Sequence, residues 1–193
     1  MELEYTAQRI MNRAFKPVND LSLFIVPDFL SPVLLKKIKE NWPTENWRDN
    51  GRLNSQRRQF RVNKSNNSFW DKIQLDFIES KTISYVIHNL FNQLPHYREI
   101  LTDLWEDSEG YAVGQHIDNP RINILCQIYL AESLEQVKHG AKICTKEGEV
   151  IYEVPMYTNL CWIALNTDNM YHKVDPYTLA IPRRSLMFRY MNY

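Results

Sequence analysis

The stretch Gly110-Tyr111-Ala112-Val113-Gly114-Gln115-His116-Ile117-Asp118-Asn119-Pro120, with the apolar run Ile122-Asn123-Ile124-Leu125-Cys126-Gln127-Ile128-Tyr129-Leu130 behind it, decides how the rest of the chain is read. The apolar run reads as a buried strand, and extended backbone sends residues two apart to one face. On that reading His116 and Asp118 present an imidazole and a carboxylate to one point. They are two of the three ligands of a facial iron site of two His and one carboxylate, which leaves the opposite coordination positions open. The third ligand has to come from elsewhere in the chain. His172, in Asn169-Met170-Tyr171-His172-Lys173-Val174, is the candidate. A His-x-Asp pair alone is weak, because most such pairs are surface charge or a hydrogen-bonded corner. The residues that follow give it weight.

On either side of this stretch the chain breaks into short apolar runs separated by Gly, Asn, Asp and Pro. Strands are expected over 100–107, 111–116, 122–130, 141–144, 150–153, 160–165, 172–174 and 185–191. Eight strands is the count of a double-sheet jelly roll. Nearer the start, 21–26 reads as a strand. Ser31 can cap a helix whose first position suits Pro32, and Val33, Leu34, Leu35 and Ile38 form its apolar stripe, ending near Trp42-Pro43. Residues 44–67 read as an arginine-rich loop leading into a short strand near 59–62. A second helix is expected over 69–93, capped by Ser68 or the Asn before it, with a break near 79–81. Residues 1–20 are polar and read as a short helix or an ordered arm. Helices followed by strands predict an α+β protein, with N-terminal helices packed on one sheet. Residues 1–193 are read as one domain without internal repeats, 1–99 as helical support and 100–193 as the core.

Composition narrows the function. The 23 Lys and Arg balance 23 Asp and Glu, which argues against a generally basic nucleic-acid binder but not against a local basic patch. The start, Met1-Glu2-Leu3-Glu4-Tyr5, lacks the features of a secretory signal, and no apolar run approaches the ~20 residues needed to span a bilayer. Three cysteines, Cys126, Cys144 and Cys161, stand apart in apolar runs, so a Cys-rich zinc site is not available. Together these predict a cytoplasmic protein with reduced, buried thiols and no membrane partner.

Eleven residues after His172 comes Arg183, in Pro182-Arg183-Arg184-Ser185-Leu186. Arg183 and Ser185 share a strand face, and a guanidinium beside a hydroxyl grips a carboxylate well. Whether Arg183 or Arg184 points inward depends on the pleat; Arg183 is favoured.

Over roughly residues 100–193, from Gly110-Tyr111 to Arg183-Arg184-Ser185-Leu186, the chain resembles the 2-oxoglutarate- and iron(II)-dependent oxygenases. The matching pieces include His116-Ile117-Asp118, Ile128-Tyr129-Leu130, Gly140, Asn159-Leu160-Cys161-Trp162-Ile163-Ala164-Leu165 and His172-Lys173-Val174. The gap from His172 to Arg183 is shorter than in the AlkB-like members and nearer that of prolyl-hydroxylase-like members. The resemblance implies a double-stranded β-helix (jelly roll, cupin-like). It implies Fe(II) held by His116, Asp118 and His172, with the C5 carboxylate of 2-oxoglutarate held by Arg183 and Ser185. Arg183 and Arg189, six apart, also resemble the paired arginines of AlkB-like nucleic-acid demethylases, which makes Arg189 a further cosubstrate candidate. Tyr111 is a candidate for the pocket lining. The implied reaction uses O2, decarboxylates 2-oxoglutarate to succinate, and hydroxylates a protein or peptide side chain or a small metabolite. Alternatives are an AlkB-like demethylase and a jelly-roll binding module without turnover. The Arg-rich 48–64 segment reads either as a solvated loop with a few ion pairs or as a mobile flap that contacts an anionic or aromatic substrate; with nucleic acid, its arginines would supply phosphate contacts and Trp47 or Phe60 a stacking surface. His88, His96 and His139 are assigned structural or surface roles.

Overall fold

The computed structural model describes residues 17–49, 56–62, 67–92 and 97–192. Nearly all of the expected arm at 1–20, and parts of the 48–64 segment, lie outside the described residues.

Strand β1 (Leu23–Val26) leads to helix α1 (Pro32–Glu40). The Ser31 hydroxyl accepts from the Leu34 N–H at 3.0 Å and Pro32 takes a first-turn position, so the expected cap is formed. Strands β2 (Arg48–Asp49) and β3 (Arg57–Arg61) follow. The helix expected over 69–93 is two. Helix α2 (Ser68–Ile73), capped by Asn67 rather than Ser68, widens into a π-turn over Gln74–Ile78. The chain then breaks, and Ser80 caps helix α3 (Lys81–Phe91) through the Ile83 N–H.

Eight strands come next: β4 (Glu99–Asp107), β5 (Val113–His116), β6 (Ile122–Tyr129), β7 (Lys142–Cys144), β8 (Val150–Glu153), β9 (Cys161–Leu165), β10 (Tyr171–Val174) and β11 (Arg183–Met191). A short 3-10 helix over Leu134–His139, not anticipated from the sequence, joins β6 to β7. The larger sheet has the order β1-β9-β6-β11-β4-β3-β2 and the smaller β5-β10-β7-β8, with every pairing antiparallel. The eight later strands thus divide four and four, and β1, β3 and β2 extend the edges of the larger sheet.

The pleat sorts side chains into two cores. Even-numbered residues of β4, β6 and β11, such as Leu104, Cys126 and Phe188, meet Trp70, Phe77, Ile83 and Val86 of the helices. On the opposite face Leu125, Trp162 and Ala164 meet Ile143, Val154 and Met170 between the sheets. Burial on both sides explains why β6 is almost uniformly apolar instead of alternating. Cys126, Cys144 and Cys161 are free and buried. No helix of the described residues is long and apolar enough to cross a membrane.

Candidate metal centre and cosubstrate pocket

β10 pairs with β5 in a register that sets His172 directly opposite His116. Their rings lie 4.3 Å apart between centroids. β5 ends at His116, so Asp118 does not arrive through strand alternation, as the sequence suggested. It is carried by a turn in which Ile122 N–H donates to Asn119 O at 2.8 Å. The Asn166 amide pins that turn to the end of β9 by donating to Asn119 O and Ile122 O. The Asp118 carboxylate then lies 3.9 Å from His116 Nε2 and 3.8 Å from His172 Nε2.

The ligand atoms of His116, Asp118 and His172 all fall within 4.8 Å of one another. The separations from the carboxylate are within reach of two bonds of about 2.1 Å to a common ion. Each imidazole has its Nδ1 against a backbone carbonyl, Gly114 O at 2.9 Å for His116 and Met170 O at 3.2 Å for His172. An Nδ1–H donating there leaves the Nε2 lone pair facing Asp118, the tautomer a metal ligand requires. Burial lowers the His172 pKa, with Asp118 opposing and His116 adding to the effect, which favours the neutral imidazole. The three residues therefore fit a divalent metal ion, and their chemistry is that of a facial site with open positions.

The triad borders a cavity of about 860 Å³ between the sheets. Its floor is the inner face of the larger sheet, whose odd-numbered residues line up in rows across the strands. Arg57, Asp107 and Arg183 form one row on β3, β4 and β11. The Asp107 side chain is fully buried and bonds Arg57 Nε at 2.5 Å and Arg183 Nη1 at 2.6 Å. Arg183 Nε also donates to His139 O at 3.0 Å. Burial works against the Arg183 charge, but Tyr129 and Asp107 outweigh it and hold the guanidinium protonated.

Arg184 turns to the helix side of the sheet, where it pairs with Glu106 and Glu132. Ser185 shares the inner face with Arg183, but its hydroxyl accepts from Gln127 Nε2 at 2.8 Å and it does not line the cavity. Arg189 does line it, paired with Asp103. The Tyr111 ring packs under the Arg57 guanidinium at 4.1 Å. Its buried hydroxyl finds no partner among the described residues, and burial keeps it a neutral O–H by raising its pKa.

The described part of the 48–64 segment forms β2 and β3, with the arginines of β3 split between two faces. Arg57 and Arg61 enter the cavity, while Arg58 stacks on Trp47 and bonds Glu106. All three are engaged with carboxylates, and Phe60 is buried. His139 sits edge-on to Tyr177, away from the triad, and His96 lies outside the described residues. Sequence reasoning missed Asp103 and Asp107, and it reached Arg57 and Arg61 only as part of the flap reading of the 48–64 segment. The signal was present as two period-two patterns, Arg57-x-Gln59-x-Arg61 and Asp103-x-Trp105-x-Asp107.

No family model and no curated relative matches the chain. Solved structures do. A Burkholderia pseudomallei oxidoreductase of the 2OG-Fe(II) oxygenase family superposes with a TM-score of 0.72 at 13% identity, covering 100% of this chain and 91% of that one. A Pseudomonas putida prolyl-4-hydroxylase gives 0.69 at 12% identity, covering 97% and 99%. A Trichoplax adhaerens prolyl hydroxylase, in complex with a hypoxia inducible factor peptide fragment, gives 0.65 at 14% identity, covering 98% and 90%. The resemblance read from His116, Asp118, His172 and Arg183 thus has its counterpart in three dimensions: the chain has the fold of the prolyl hydroxylases and the 2-oxoglutarate- and iron(II)-dependent oxygenases.

Proposed function

We propose that the protein is an Fe(II)- and 2-oxoglutarate-dependent oxygenase, built as a jelly roll with helices on one sheet and acting as a hydroxylase. The observation that carries this reading is the convergence of two imidazoles and one carboxylate, with both Nδ1 atoms turned to carbonyls, on a cavity that also holds a buried guanidinium. His116, Asp118 and His172 hold the metal. Bound iron with 2-oxoglutarate supplies the O2-dependent hydroxylation, the keto acid leaving as succinate and carbon dioxide.

The chain's own residues bind, orient and exclude water. Arg183, fixed by Asp107 and His139 O, offers its remaining N–H groups to the distal carboxylate of the keto acid. Tyr111 adds a neutral O–H donor from the same end of the cavity. Leu125, Trp162 and Val174 give the pocket apolar walls, which strengthen each of these contacts by keeping solvent out. Ser185 acts through Gln127 as support for the floor. The substrate is a peptide side chain or a small metabolite. The likeness to a prolyl hydroxylase with a bound peptide supports the first, and the cavity's size allows either beside the cosubstrate.

Incubation with Fe(II), ascorbate, O2 and 2-oxoglutarate tests the proposal. Succinate should form in step with O2 consumption and cease when iron is chelated. No succinate above a heat-denatured control would refute it.

A further inference from the structure

The cavity carries more positive charge than one keto acid uses. A second inner row holds Arg61, Asp103 and Met187, continuing through Gln127 to Trp162. The Trp162 ring lies 6.2 Å from that of His172, so the row leads to the metal triad. The Asp103 side chain is fully buried and accepts from Arg61, from Arg189 and, at 2.6 Å, from Gln59 Nε2. Both guanidiniums line the cavity, and Arg189 Nε is buried with no acceptor among the described residues.

One carboxylate between two guanidiniums leaves one positive charge unmatched. The Arg57–Asp107–Arg183 row has the same imbalance. Asp103 and Asp107 are four residues apart on β4, about 13 Å along the strand. A five-carbon keto acid chelated to the metal at one end has a single free carboxylate, so it satisfies one row and not the other. The total agrees. Four guanidiniums face Asp103, Asp107 and Asp118, and a divalent ion with a dianionic keto acid cancels, so one positive charge remains.

We propose that Arg61 and Arg189, bracketing Asp103, form a second anion subsite that holds a carboxylate of the primary substrate. The inference rests on the oxygenase reading for the place of the keto acid. The substrate is then an acid, either a small carboxylic acid or an acidic side chain within a peptide. Asp103 keeps the two guanidiniums apart and fixed, so the incoming carboxylate meets preset donors, whereas an amide offers one accepting oxygen, no charge, and an NH2 that faces the N–H donors.

The test is an anaerobic calorimetric titration of the Mn(II)-loaded protein at saturating 2-oxoglutarate. In one arm the probes are N-acetyl-Asp and N-acetyl-Glu N-methylamides against their Asn and Gln counterparts. In the other they are N-acetyl-alanine against N-acetyl-alaninamide. In at least one arm the acid should bind about tenfold or more tightly than its amide, and the arm identifies the source of the carboxylate. Arg61→Gln should abolish that preference while binding 2-oxoglutarate within about threefold of wild type. Acids and amides binding alike in both arms would overturn the subsite. So would an Arg61→Gln protein that loses 2-oxoglutarate and acid affinity in equal proportion, which would assign the pair to the cosubstrate. If Arg61→Gln does not fold by circular dichroism, the wild-type acid-to-amide ratio and Arg61→Lys decide, the lysine keeping the charge but lowering the ratio through loss of the fork. Wild type that binds no 2-oxoglutarate with Mn(II) counts against the oxygenase reading instead, and titrating the acid probes without keto acid separates the two failures.

Discussion

At the scale of residues, the proposed metal site would use both ring nitrogens of His116 and His172. The backbone carbonyls of Gly114 and Met170 take one side of each ring, and Asp118 stands across from the other. Replacing any of the three with Ala should cut iron-dependent succinate formation by at least ~100-fold, since loss of outer-shell partners alone costs 10- to 100-fold. The His116 and Asp118 variants should keep the wild-type circular dichroism spectrum, because both side chains are partly exposed. Retained activity in any of them would contradict the ligand assignment. The two neighbouring arginines separate function from support. Arg183→Met should raise the KM for 2-oxoglutarate more than tenfold and cost about 3 kcal/mol in urea unfolding, as Asp107 loses one of two partners. Arg184→Met should leave that KM within about twofold, since its guanidinium lies on the far face with Glu106 and Glu132. The reverse result would place the cosubstrate elsewhere. The three triad residues and Arg183 were legible because side-chain type and spacing carry them. The buried carboxylates were not, because an Asp in an apolar strand says nothing of its partner until Arg57 or Arg61 is paired alongside.

At the scale of elements, the Ser31 cap and the break near 79–81 were legible locally, whereas the Ser80 cap and the 3-10 helix over Leu134–His139 were not read. Ser31 with Pro32 starts α1, and Ser80 restarts the helix after the π-turn. What local pattern does not contain is how two segments approach. Gly140, between the 3-10 helix and β7, is the clearest case. A Cβ added there would meet Val154 O at 1.8 Å, a distance no side chain tolerates, although its backbone angles are ordinary. Gly140→Ala should therefore destabilise the protein by about 2 kcal/mol or more through forced separation of β7 from the chain after β8. Chemical unfolding measures it, and a neutral effect would show that this contact relaxes freely. Trp70, fully buried under the larger sheet, anchors α2 by donating from Nε1 to Asn41 O at 3.1 Å. Trp70→Ala should cost about 3–5 kcal/mol without changing the KM for 2-oxoglutarate, because it lies on the side of the sheet away from the cavity.

At the scale of the whole molecule, the two sheets bring together residues far apart in sequence. Eight strands and the α+β order could be counted in the sequence. The division into sheets and the capture of β3 by the larger sheet's edge could not, because antiparallel pairing between distant segments leaves no local pattern. The site joins both sheets, so filling it should stabilise the entire domain. Mn(II) and 2-oxoglutarate, each at about 100 times its dissociation constant, should together add ~5.4 kcal/mol, a rise in Tm of roughly 10–20 °C for a chain of this size. His116→Ala should lose that rise. The most direct measurement is a crystal grown anaerobically with Fe(II) and 2-oxoglutarate, with anomalous scattering collected at the iron edge. The account predicts one iron bonded to His116 Nε2, Asp118 and His172 Nε2, with the keto acid reaching from it to Arg183. Iron bound elsewhere, or a triad holding none under those conditions, would contradict it.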